Sequence, residues 1–141
     1  MITARIAVHY DGDWTADSVE HDVYGKCLAY SFQNNRHFSL FVISSNDVEA
    51  TIDLIRDHDH ITEVSVLEQR NMPKGIRRAA TFSVKSKYRT IPPMELLSYE
   101  GFLPIGYPSI YQGRIFFDLL LDGREDLNQV VELLDEFGDA R

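Results

Sequence analysis

The sequence predicts an α+β fold made of two tandem βαββαβ units with antiparallel sheets. Three observations lead there. The stretch RIFFDLLLDGREDLNQVVELLDEFG, Arg114 to Gly138, reads as a strand apolar on both faces that runs into an amphipathic helix. The order strand, strand, cap, helix occurs twice, and Val48 to His58 lies over Leu127 to Phe137 with most apolar positions coinciding. Asn71 to Gly75, with Pro73 and Gly75, punctuates the chain between the copies, giving units over residues 1–72 and 76–141.

The elements follow from local pattern. Ala4 to Tyr10 alternates Ile6 and Val8 against polar and small neighbours, a short strand broken by Asp11-Gly12-Asp13. Trp14 to Gly25 is irregular, with at most a helical turn around Asp17 to His21. Lys26 to Phe32 and His37 to Ser44 form two strands around an Asn34-Asn35 turn. Ser45 or Asn46 is expected to cap a helix through His58, and Ile61 to Glu68 makes the fourth strand. In the second half, Ala79 to Tyr88 sets Phe82 and Val84 against Ser83 and Lys85. Pro92 and Pro93 open a short helix that Gly101 closes. Phe102 to Tyr111, broken by Pro and Gly, reads as an edge strand, and Gln112-Gly113 turns the chain into the Arg114 strand. Asp122, three residues before Glu125, is placed to cap the last helix, and Gly138 to end it in left-handed geometry.

Each half then matches the ferredoxin-like split βαβ plan, also that of ACT-like regulatory modules. The first helix of the first unit is weak, and the closing strand of the second is expected to be missing. The competing architecture is one α+β sandwich with a single larger antiparallel sheet.

Composition narrows the function. The net charge of −8 repels a polyanion from the chain as a whole; a salt-adapted cytoplasm would produce such a balance, as would many mesophilic acidic proteins. Cys27 is the only cysteine, so no intrachain disulfide or cysteine-based metal cage can form. The N-terminus has no apolar core behind a basic start, and no apolar run approaches the roughly 18 residues of a membrane span. A soluble cytoplasmic protein is the expectation.

Candidate chemistry is sparse. His58 and His60 lie beside Asp57 and Asp59, but at a helix C-terminus, where histidine meets the dipole favourably and no third ligand is evident. His9, His21 and His37 are scattered singly and read as surface or hydrogen-bonded neighbours. Cys27 sits in an alternating strand as an inert thiol. No G-x-S-x-G elbow or Gly-rich phosphate loop occurs. Lys74, Arg77, Arg78, Lys85, Lys87 and Arg89 crowd one short stretch with Phe82 and Tyr88 interleaved, as on a sheet that stacks bases. Phe82, however, shares the core face with Val84. The most unusual segment is Tyr99 to Pro108, where glycines, prolines and aromatics follow a short helix. Tyr99, Glu100, Pro104 and Tyr107 are the candidate ligand-binding residues there.

ARIAVHYDGDWTAD, IRDHDHITEVSVLE, LLSYEGFLPIG, IFFDLLLDGREDL and ELLDEFG together resemble the N-terminal region of haloarchaeal bacterio-opsin-activator-like helix-turn-helix transcription regulators. The resemblance covers most of the chain and rests on packing and turn patterns. It implies a non-enzymatic regulatory domain that senses a small effector or forms a homodimer. DNA would be bound only through a C-terminal domain not present here. It supplies no ligand-binding residues, cofactor or metal. Two other classes compete. One is a small α+β enzyme with a pocket near Tyr99 to Tyr107. The other is an RNA- or single-stranded-DNA-binding sheet using Lys85, Lys87 and Arg89.

Overall fold

A computed structural model describes residues 1–34, 36–71, 78–88 and 90–141. The strands are β1 (Ile2–Val8), β2 (Tyr24–Gln33), β3 (Arg36–Ser45), β4 (Ile61–Asn71), β5 (Arg78–Lys87), β6 (Leu103–Pro104), β7 (Ser109–Tyr111) and β8 (Arg114–Leu121). The helices are α1 (Trp14–Asp17), continued by a 3-10 turn at Ser18–His21, then α2 (Val48–Arg56), α3 (Pro93–Tyr99) and α4 (Arg124–Asp135). The strands join in one antiparallel sheet in the order β1-β8-β7-β2-β3-β5-β4, with β6 also beside β8.

Register explains where the core lies. One row of paired residues runs from Val8 through Ile115, Ile110, Gly25 and Ile43 to Ala80. A neighbouring pairing sets Cys27 against Phe41 and Phe41 against Phe82. Paired residues of antiparallel strands share a face, so these apolar positions all lie on one side of the sheet. The buried core divides into two clusters on that side. In one, Val48, Ile52 and Ile55 of α2 pack with Phe41, Ile43, Phe82 and Val84. In the other, Val130 and Leu134 of α4 pack with Ile6, Phe117, Leu119 and Leu121. Both helices bury the expected stripe, and Thr51, polar within it, is buried and bonded to Ser45 Oγ and the Asp47 carbonyl.

Several helix ends differ from expectation by one residue or more. Asp47, not Ser45 or Asn46, caps α2, its Oδ1 accepting from the Ala50 amide at 3.0 Å. Ser45 supports that cap by accepting from the Asp47 amide. Gly123 stands at the N-cap of α4, and the Asp122 amide instead donates to the Asp126 carboxylate. Gly138 does not end α4 in left-handed helical geometry. Its φ is +154°, and a Cβ there would lie 1.8 Å from the His9 carbonyl oxygen. Glycine is required because two backbones meet.

Two further departures concern the sheet. The segment 102–111 is an edge only in part: β6 and β7 form an interrupted strand along β8, β6 with no second partner strand among the described residues, whereas β7 also pairs with β2. Gln112 and Gly113, both at positive φ, make the two-residue turn from β7 to β8 that suits the twist of a hairpin. The residues after α4 also have a place in the sheet. Ala7 and Arg141 exchange both backbone hydrogen bonds, His9 donates to Asp139 and Asp11 to Phe137, so the terminal segment lies antiparallel against β1. The two βαββαβ units are not confirmed as separate sheets. Residues 72–77, which hold most of the expected boundary, and Asn35 and Arg89 lie outside the described residues.

Candidate functional site

The two cores meet beneath α1 and α3, and there the sheet's inner face turns polar. His37, Ser39 and Ser86 occupy positions that alternation gives to the core side. Above them α3 brings in Glu95, only 1% exposed. His37 Nε2 lies 2.9 Å from Glu95 Oε2, and His37 Nδ1 is hydrogen-bonded to the Tyr30 hydroxyl. A carboxylate only accepts, so His37 Nε2–H donates to Glu95 and leaves Nδ1 to accept from Tyr30. Proton direction in this Glu95–His37–Tyr30 relay is thereby set. Burial lowers the His37 pKa against the opposing pull of Glu95, which keeps the imidazole neutral. Burial, seconded by the negative charge of Glu95, pushes the Tyr30 phenol well above its ordinary range.

A second network faces the first. Asp13 is buried at the start of α1, which it caps. Its Oδ2 accepts from the Thr15 amide at 3.2 Å and from the Thr15 hydroxyl. Its Oδ1 accepts from His60 Nε2 at 2.9 Å and from the Tyr88 hydroxyl at 3.4 Å. Four donors fill the carboxylate's capacity. The Tyr88 ring bridges the networks, 4.4 Å from the His60 ring and 5.0 Å from the His37 ring. His58 Nε2 bonds Asp17 Oδ2 at 3.0 Å, so the loop after α2 grips α1 at two points.

Between the networks lies a cavity of about 70 Å³, room for about five to seven water-sized atoms at roughly 10–15 Å³ each. Tyr10, Tyr30, Trp14, Phe41, Ile110 and Phe117 form much of its wall, with Asp13, His37, Ser39 and Ser86 as polar points. Among the described residues no lysine or arginine lines it. Tyr10 is shared with the terminal segment: its ring packs edge-on against Phe137 at 5.2 Å and stacks near Tyr88 at 6.4 Å.

The residues expected to bind a ligand lie elsewhere. Tyr99 is 65% exposed at the end of α3, Glu100 and Tyr107 are exposed, and Pro104 is half-buried in β6. None of the four lines the cavity, although Tyr99 touches Phe32, which stacks on His37. Helix α3 reaches the cavity through Pro93 and Met94 in its first turn. Cys27 is fully buried, its thiol donates to the Ala29 carbonyl, and burial pushes its pKa up to about 11. Among the described residues no group of three or more His, Cys, Asp or Glu side chains is arranged to hold a metal. Lys85 pairs with Glu63 at 3.5 Å, and Phe82 is buried as expected; Lys74, Arg77 and Arg89 lie outside the described residues. No described helix is long and apolar enough to cross a membrane.

No family model, curated protein or solved structure matches the chain.

Proposed function

We propose that this chain is the signal-input domain of a helix-turn-helix transcription regulator, with a small effector binding in the cavity between the two cores. The observation that carries the reading is the shared wall. Tyr10 faces the cavity and packs on Phe137, at the start of the segment that ends at Arg141. A ligand that displaces Tyr10 therefore shifts the backbone clasp between His9, Asp11 and the terminal segment. An effector acts only by binding one arrangement better than another, and a site where two cores abut offers two arrangements. The sequence resemblance points the same way, and DNA contact would fall to a domain outside this chain.

The strand order supports a ferredoxin-like tandem with exchanged first strands. A βαββαβ unit lays its strands out in the order four, one, three, two. Here β4-β5-β3-β2 follows that order with β5 in the first-strand place, and the terminal segment, β1, β8 and β7 follow it with β1 in that place. Each unit would then hold the other's opening strand. The proposal also includes a homodimer through the outer edge of β4, which has no partner strand among the described residues. Sedimentation that finds only monomer at high protein and salt removes that part.

The effector reading is tested by thermal-shift screening of small metabolites against the wild type and Ser39→Leu, which fills the cavity. A compound at a hundred times its Kd adds about 2.7 kcal/mol. Such shifts are expected in the wild type and absent in the variant. A screen without shifts, with Ser39→Leu simply more stable, marks the cavity as a packing defect. A second reading, a small acid–base enzyme, is favoured by the Glu95–His37–Tyr30 relay. The raised pKa of Tyr30 weighs against it, since a phenol so hard to ionise makes a poor general acid or base near neutral pH.

A further inference from the structure

The effector site has a chemical preference that can be read from its hydrogen-bond directions. We infer that the cavity selects a small uncharged ligand carrying a hydroxyl, which donates to Tyr30 Oη; this rests on the effector reading above. The Glu95 carboxylate fixes the proton of His37 on Nε2, and His37 Nδ1 then accepts a hydrogen bond from the only proton of the Tyr30 hydroxyl. Tyr30 Oη has lone pairs to offer and no proton. A ligand must therefore bring the donor.

Charge is excluded from both sides. An anion would enter a cavity flanked by Glu95 and Asp13 with no cationic side chain in its wall among the described residues. A cation would find the Asp13 oxygens already filled by Thr15, His60 and Tyr88, and would be desolvated without a free counter-charge. Apolar surface on the ligand is matched by Trp14, Phe41, Ile110 and Phe117. The volume limits it to a compact group of about six heavy atoms. Tyr10 and Tyr30 both line the cavity.

Small cyclic probes of similar size test this. Cyclopentanol donates and accepts, cyclopentanone only accepts, cyclopentylammonium is cationic, cyclobutanecarboxylate is anionic, and cyclopentane is the apolar control. Affinities are measured by amide chemical-shift titration of the whole chain at millimolar probe. Cyclopentanol is expected to bind about 5- to 10-fold tighter than cyclopentanone, the worth of one net hydrogen bond. The charged probes should not bind, and Tyr30→Phe should bring the alcohol-to-ketone ratio to about one. A wild type that binds the ketone or a charged probe as tightly as the alcohol overturns the ligand class and leaves the effector site standing. Failure of every probe, cyclopentane included, overturns the inference together with the effector reading. Imidazole nitrogen shifts of His37 in the wild type give a readout that needs no variant. A proton on Nε2 with Nδ1 bare is expected; the opposite tautomer reverses the relay and overturns the inference.

Discussion

Replacing Glu95 with leucine removes the acceptor at the head of the relay while keeping side-chain volume. Glu95 and His37 are almost wholly enclosed, with side-chain exposures of 1% and 2%, and their bond is 2.9 Å long. In Glu95→Leu the His37 Nε2–H faces hydrocarbon with no partner, which costs about 2–3 kcal/mol for a buried donor cut from a charged acceptor. His37→Leu is worse, because it strands the carboxylate and the Tyr30 hydroxyl together, about 3–4 kcal/mol. The double variant has no orphan except Tyr30 and should lose less than the His37 variant alone, since removing both partners of a buried pair is often nearly neutral. The coupling energy from the cycle should be at least about 2 kcal/mol. Urea unfolding followed by circular dichroism measures all four proteins, with an unchanged dependence on urea confirming that only stability has moved. Additive losses, or a neutral Glu95→Leu, would refute the claim that these three side chains act as one unit.

Other expectations follow from neighbouring features. Burial holds the His37 pKa below its ordinary 6.5, so the unfolded chain takes up a proton that the folded chain refuses. This contribution to stability is complete above pH 6.5 and is lost as the pH falls toward the depressed value. Urea midpoints between pH 7.5 and 5.5 should slope less in the His37→Leu/Glu95→Leu double variant than in the wild type. The Cys27 thiol, with its pKa near 11, should resist iodoacetamide at pH 8 and react at once in denaturant, as mass spectrometry will report. Gly138→Ala should cost about 3 kcal/mol or more, because its methyl meets the His9 carbonyl, whereas Gly101→Ala meets nothing within 4 Å and pays only for its positive φ, about 1–2 kcal/mol. Thermal melts of the two variants compare these costs directly.

The strands and helices were largely legible because their signals are local. Ile6, Val8, Phe82 and Val84 alternate cleanly, Leu127 to Leu134 recurs at helical spacing, and Pro93 and Gly101 bracket α3. Sheet order was not, since it depends on which strands meet across the chain. Nothing in Ile2–Val8 announces that it pairs with β8. The cavity was hidden for a related reason. In HFSLFVIS both faces look apolar, Phe38, Leu40 and Val42 on one and Phe41 and Ile43 on the other, so His37 and Ser39 carried no mark of facing inward. Glu95 gave a faint signal, an acidic residue between Met94 and Leu97 on a helix too short for its faces to be told apart. Tyr99 to Pro108 drew attention by composition, and composition reports a tight corner as readily as a pocket.

The placement of β1 and β5 governs what scission of the backbone would do. β1, from the opening of the chain, lies between β8 and the terminal residues, while β5, from the later half, lies between β3 and β4. A protease that cut within 72–77 would yield fragments held together like clasped hands. Neither could depart without surrendering an interior strand and opening a raw groove in what remained. The halves should refold only by complementation, and the molecule should lose its structure in a single event.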